Sequence, residues 1–222
     1  LLAQGQALLD RGEHAQARPV LLQAESLGPD RLTPALLLAR SHLEDDGDLA
    51  AAEAAVGRAQ TASPGAPAAH FLLGRIREGQ ARWADAHAQY AAVVAAEADH
   101  GLAHERLASV SLVMAQQARA AKDEPGAKRW LEDAVQGFLR AREVAGDRPA
   151  YALGESQARE ALGDHAGAEA ALQRWLAQEP EAPGAHLALA SFYERRGSPQ
   201  RAAAARAAAG SPPAKRKLRP LR

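Results

Sequence analysis

Two stretches decide how this chain folds: LLLARSHLEDDGDLAAAEAAVGRAQTASP at residues 36–64 and ALGDHAGAEAALQRWLAQEP at residues 161–180. Each holds a Gly-Asp pair, Gly47-Asp48 and Gly163-Asp164, followed by an alanine-rich run and then a proline. Glycine takes the left-handed conformation that commonly ends one helix, and aspartate caps the start of the next. Each stretch therefore reads as helix, turn, helix and stop. Gly12-Glu13 is a close variant of the same turn.

Outward from these stretches the pattern recurs about every 34 residues. Ala17, Ala52, Ala86, Ala134, Ala168 and Ala202 fall at one phase, and Gly5, Gly74, Ala108 and Ala190 at another. Four residues after the first set stand Leu21, Val56, Tyr90, Phe138, Leu172 and then Arg206. Pro29, Pro64 and Pro180 close three units. A fixed period of this length means stacked supersecondary units whose hydrophobic faces are buried only by their neighbours.

The unit resembles the tetratricopeptide repeat, a helix–turn–helix with small residues where helices touch and a proline at its end. The resemblance implies an all-α, right-handed superhelical solenoid of about six repeats. They cover roughly 1–31, 32–65, 66–99, 100–147, 149–182 and 183–210. The fourth unit is longer by 14 residues, which is about two extra turns in each helix. We expect one helix from Leu102 to Ala121, a turn at 122–126 and a second helix to about Ala145, together a projecting hairpin. Arg40 stands where a small residue is usual, the fifth unit needs about two extra residues in its first helix, and Trp175 implies wider helix spacing. Arg206 in the last helix gives the polar outer face that a terminal repeat requires.

Composition narrows the function classes. Alanine fills 57 positions, against three each of Phe, Tyr and Trp, so stability rests on many small contacts at about 25 cal/mol per Å² and on helix propensity. The chain has no Cys, which removes disulfides, zinc–thiolate sites and thiol catalysis. Arg outnumbers Lys 23 to 4 and Asn is absent, a composition that resembles a GC-rich bacterial source; cytoplasm and periplasm both remain open. No run of about 18 apolar residues exists to span a membrane. Leu1 falls about three residues inside the first repeat helix, which points to a fragment or a processed part. Residues 211–222, SPPAKRKLRPLR, carry five basic residues and no acid and are expected to be a disordered tail.

Candidate chemistry reduces to packing. His70, His104 and His186 share a phase where the family usually has a large aromatic, and His14 and His165 share another. His104-Glu105 begins like a zinc-protease helix, but Ala108 stands where the second His must be. The acidic turn Glu44-Asp45-Asp46-Gly47 begins at His42, without the first carboxylate of a calcium loop. Neither a metal, a cofactor nor a catalytic residue is assigned. Helix-surface pairs such as Glu155 with Arg159 should add a few tenths of a kcal/mol each.

In proteins of this kind the first helix of each repeat, helix A, lines an inner groove that holds a peptide or helix of a partner. Carried over by register, the partner-binding residues are Leu37 and Ser41, Phe71 and Arg75, Glu105 and Ser109, Leu153 and Gln157, and Leu187 and Ser191. Such a stripe would bury an apolar segment while the polar row fixes its register. Met114 and Trp130 on the long hairpin are candidates for a second contact or for self-association. The function expected is a non-enzymatic adaptor or scaffold, in an envelope, secretion or pilus assembly system. Two alternatives stand beside it: a regulatory or oligomerisation module of a larger enzyme or exporter, and RNA or anionic-lipid binding through the basic tail. Nucleic acid is disfavoured, since the tail has no aromatic residue for stacking.

Overall fold

The computed structural model describes residues 1–210, so the tail expected at 211–222 lies outside the described residues. Among them are twelve helices and no strand: α1 (Leu2–Asp10), α2 (His14–Leu27), α3 (Leu32–Glu44), α4 (Leu49–Ala62), α5 (Pro67–Gly79), α6 (Trp83–Ala96), α7 (Gly101–Ala120), α8 (Glu124–Ala145), α9 (Pro149–Ala161), α10 (His165–Gln178), α11 (Pro183–Arg195) and α12 (Pro199–Ala209). The chain divides into two compact units, Leu1–Met114 and the residues from Ala115 on. In the first unit α1 packs on α2, α3 on α4 and α5 on α6, while α1, α3 and α5 touch in succession. In the second, α9 packs on α10 and α11 on α12, with α8 against α9 and α10 against α11.

The turns are built as the Gly-Asp pairs require. Gly47 and Gly163 have φ of 65° and 83°, in the left-handed region. Asp48 Oδ1 accepts the N–H of Ala51 and Asp164 Oδ1 that of Gly167, each at 2.9 Å. Asp123 caps α8 through Gly126 in the same way. There the left-handed position is held by Lys122 (φ 61°), and in the third repeat by Ala81 (φ 55°). Helix α8 starts at Glu124 with proline in its first turn, a site that tolerates it, so the expected turn at 122–126 is shorter than its composition suggested. The fourth repeat's helices run to 20 and 22 residues, against 13 or 14 in most of the others.

Packing pairs a small residue on one helix with a large one on its neighbour. A Cβ at Gly74 would lie 2.6 Å from the Tyr90 ring, and one at Gly154 would lie 2.1 Å from Phe138. Ala17, Ala52, Ala86, Ala134 and Ala168 are wholly buried at the helix contacts. Two irregularities resolve. Helix α9 is 13 residues long and Ser156, buried, takes the small-residue position, so the fifth unit carries no insertion. Trp175 is met by Ala152 and Ala185, and a Cβ at Gly184 would lie 3.1 Å from the indole, so small facing residues accommodate the ring. At Arg40 the guanidinium turns outward to Asp10 (3.6 Å) and Glu44 (3.4 Å), while Ala39 and Ser41 on either side are buried.

Candidate partner-binding face

The A helices carry the residues expected to meet a partner, and the structure treats the two units differently. In the first unit most of these side chains belong to the packing. Leu37 is half-buried against the core around Leu38, Ala39 and Val56. Phe71 stacks on His100 with ring centroids 5.2 Å apart and tilts against Tyr90 at 5.6 Å, within the cluster that includes Ala86 and Val110. Arg75 lies 3.8 Å from Glu44 of the preceding A helix. Glu105 and Ser109 are half-buried.

Ser41 is a correction. It is wholly buried: Arg18 Nε donates to its Oγ at 3.2 Å, and His14 Nδ1 lies 3.4 Å away. Its hydroxyl joins two helices and has no surface to offer a ligand. Met114 likewise packs against the Tyr90–Val110 cluster, which removes much of its apolar surface from a hairpin contact. Trp130 is half-buried and borders a small cleft with Asp123, Arg129 and Asp133.

The second unit leaves the corresponding face open. Leu153 on α9 is 36% exposed and Leu187 on α11 is 49% exposed, and Gln157 and Ser191 one turn on are also exposed. One further turn along, Ala161 and Arg195 complete two rows, Leu153–Gln157–Ala161 and Leu187–Ser191–Arg195. A shallow cleft between the helices is lined by Gln157, Glu160, Ala161 and Arg195. Arg195 donates to Glu160 from Nε at 3.0 Å and Nη2 at 2.8 Å, which ties α11 to α9 at that end. Arg119 donates to the Ala161 carbonyl at 2.6 Å and satisfies an acceptor at the end of α9. The face thus offers an apolar end, a neutral polar middle and a paired-charge end.

Two sets of residues went unread in the sequence. Glu44, Glu78 and Glu160 each stand eight residues before the repeating alanine, and each pairs with an arginine of the next A helix: Arg75 (3.8 Å), Arg106 (3.5 Å) and Arg195 (2.8 Å). Their regular phase was the available signal. The second set centres on Glu155, whose side chain is only 3% exposed. It accepts from Arg159 at 2.8 Å and from Arg174, and Arg142 stands 3.7 Å away. The expected surface pair is therefore a buried carboxylate among three guanidiniums, from α8, α9 and α10.

Two of the histidines close local turns. His104 Nε2 and His186 Nε2 each lie 3.0 Å from a loop carbonyl, those of Ala98 and Pro180. A carbonyl only accepts, so both nitrogens carry the proton. Among the described residues no three His, Asp or Glu groups are placed to hold a metal ion, and no helix is long and apolar enough to cross a membrane.

Comparison with known proteins bears on the fold. A tetratricopeptide repeat family model matches residues 2–67 and 153–215, over half of the chain. Among solved structures, PilF of Pseudomonas aeruginosa is 16% identical, covering 92% of this chain and 86% of its own, with a TM-score of 0.72. PilW, described as a type IV pilus biogenesis factor, is 14% identical over 92% of this chain and 88% of its own, with a TM-score of 0.75. A thermophilic repeat protein of Thermus thermophilus is 26% identical over 79% and 88%, with a TM-score of 0.61. No curated protein matches the chain by sequence.

Proposed function

We propose that this chain, which belongs to the tetratricopeptide repeat family, is a non-enzymatic adaptor that binds a segment of another protein along the A helices of its second unit. The observation that carries the reading is the pair of open rows on α9 and α11, where Leu153 and Leu187 remain exposed beside Gln157 and Ser191. Exposed leucines in register with neutral polar groups suit an amphipathic helix or an extended segment with one apolar side. The apolar anchors contribute affinity and the polar row fixes the register. The first unit's positions, Leu37 and Phe71, contribute mainly to packing. PilF and PilW supply the setting for this reading, a bacterial envelope or pilus assembly system; at 14–16% identity they share the fold with this chain.

The test is site-specific photo-cross-linking in cells of the source organism. A cross-linker at 153 or at 187 should capture the same protein, and one at the exposed Gln173 on α10 should not. The double variant Leu153→Glu/Leu187→Glu, with unchanged circular dichroism, should lose that partner. Cross-linking of one protein from 173 as readily as from 187, or capture undiminished by the double variant, would overturn the assignment.

A further inference from the structure

We infer that the outer side of α2 is an interface between two copies of this chain, which pack α2 against α2 antiparallel about a two-fold axis. It is formed by a B helix and uses none of the A-helix rows described above.

Comparison of the B helices singles α2 out. The recurring alanine fixes their register. Five residues after it, the first, second, third and fifth repeats carry Leu22, Gly57, Ala91 and Gln173, and ten residues after it they carry Leu27, Ala62, Ala96 and Gln178. Leu22 is 51% exposed and Leu27 71%. Gly57, Ala62, Ala96, Gln173 and Gln178 are exposed as well, although each of their helices has a repeat before it. These positions are therefore outer surface, and a preceding repeat does not cover them. The longer fourth repeat has Leu139 and Val144 there, both half-buried. A lone exposed leucine is ordinary, but α2 alone among these helices puts two in water where the others present Gly, Ala or Gln.

The same side of α2 carries no charge. Ala15, Pro19, Leu22, Ser26 and Leu27 form its exposed row, with two glutamines beside it. The helix does contain Arg18 and Glu25, but Arg18 is held by Asp45 and Asp46 at 2.8 and 2.9 Å, and Glu25 by Arg58 at 2.8 Å. Covering the row therefore desolvates no ionised side chain of α2.

The occupant follows from the order of sizes along the row. Small residues stand in its N-terminal half and the two leucines in its C-terminal half, so the row complements itself only when a second copy runs the opposite way. With Leu27 over Ala15 of the other copy, Leu22 abuts Pro19, Ser26 faces Gln16 and Gln23 faces Pro19. Pro19 lies inside the helix and has no N–H to give the Ala15 carbonyl. In this register the Gln23 amide of the other copy is placed to donate to it. One helix face is far less than the about 20–30 residues a side of a standard interface, so the dimer is a weak, reversible one in the micromolar range.

The experiment is analytical ultracentrifugation of the full chain over a dilution series that spans the micromolar range. A reversible monomer–dimer equilibrium is expected. Leu22→Glu/Leu27→Glu, with unchanged circular dichroism, should weaken it by roughly a hundredfold or more, because each dimer then buries four new carboxylates. Leu153→Glu/Leu187→Glu should leave it unchanged, which separates this surface from the partner-binding face. The register is read by disulfide trapping, since the chain has no cysteine of its own. In Gln16→Cys/Ser26→Cys the two thiols are about 15 Å apart on one helix and can join only between copies. Mild oxidation should link that variant into dimers far faster than either single substitution, and this reading stands even if the glutamate variant misfolds. A chain that stays monomeric throughout would overturn the interface, as would a dimer indifferent to charge at 22 and 27 in a folded protein. Single-cysteine variants that cross-link as readily as the pair would overturn it too.

Discussion

Replacing Glu155 by Gln is the sharpest test of the packing in the second unit. Its carboxylate is almost wholly enclosed, and its oxygens serve Arg159 on α9, Arg174 on α10 and Arg142 on α8. At an effective dielectric of 20, one such pair near 4 Å is worth about 4 kcal/mol before desolvation. The amide keeps the shape of the side chain but leaves one acceptor for three cations and points N–H groups at guanidiniums. Two of the arginines have a second acid: Arg159 reaches Asp164 at 2.7 Å, and Arg142 lies 3.8 Å from Asp147. All three are 24–37% exposed, so water screens part of the loss. Breaking a buried pair costs about 3–5 kcal/mol, and these two reliefs put Glu155→Gln near the lower end, ~3 kcal/mol. In urea at about 2 kcal/mol per M, the midpoint should fall by ~1.5 M. The transition can be followed by circular dichroism and by fluorescence of Trp175, the neighbour of Arg174. Glu132→Gln is the control, since Glu132 is half-exposed and pairs with Lys128 at 3.8 Å on one helix; it should cost only a few tenths of a kcal/mol. If the two variants unfold at the same urea concentration, the buried cluster is not what holds α8, α9 and α10 together.

Three further outcomes follow from the turns and the small-to-large pairing. Gly74→Ala should destabilise the first unit by about 1–3 kcal/mol, because its Cβ would meet the wholly buried Tyr90 ring; a thermal melt unchanged from wild type would contradict that packing. Lys122→Gly should stabilise by about 0.5–1 kcal/mol, since it relieves a left-handed conformation at the cost of a looser unfolded chain, and a lower urea midpoint would count against it. The Asp164 carboxyl is held below its ordinary range, first by the N–H of Gly167 and then by Arg159. The folded state then binds fewer protons, so this contribution is present above the unfolded carboxyl value of about 3.9 and is lost as pH falls through the lower folded value. Asp164→Asn, which preserves the cap, should therefore be less stable than wild type at neutral pH and equal to it once the carboxyl is protonated; a gap that persists in acid would refute the linkage.

Much of this fold could be read from the chain because its signals agree at several phases. The Gly-Asp turns, the recurring alanines and the closing prolines all mark the same repeat, and the structure places positive φ and caps at Gly47-Asp48 and Gly163-Asp164. Lys122 and Ala81 hold left-handed turns with no glycine to announce them, and Pro125-Gly126 in the first turn of α8 makes the turn before it read as longer than it is. Less of the candidate face was legible. Periodicity fixes which helix a residue is on and roughly which way it points, but not how much a neighbour covers it. Ser41 and Gln157 occupy equivalent register positions, yet one is sealed by Arg18 and His14 and the other lies open. Glu155 was misread for the same reason: its i,i+4 partner is local and visible in sequence, while Arg142 and Arg174 arrive from other helices.

The two units pack these positions differently. In the first, Phe71 packs its ring against Tyr90 and His100. In the second, that filling is done elsewhere. Trp175 comes from the B helix and occupies the space over Ala152 and Ala185, and the Glu155 cluster closes the contact among α8, α9 and α10. Leu153 and Leu187 stay at the surface. An exposed leucine on one helix is ordinary; two at the same phase on successive A helices, each followed one turn later by an exposed neutral polar side chain, form a surface with a register.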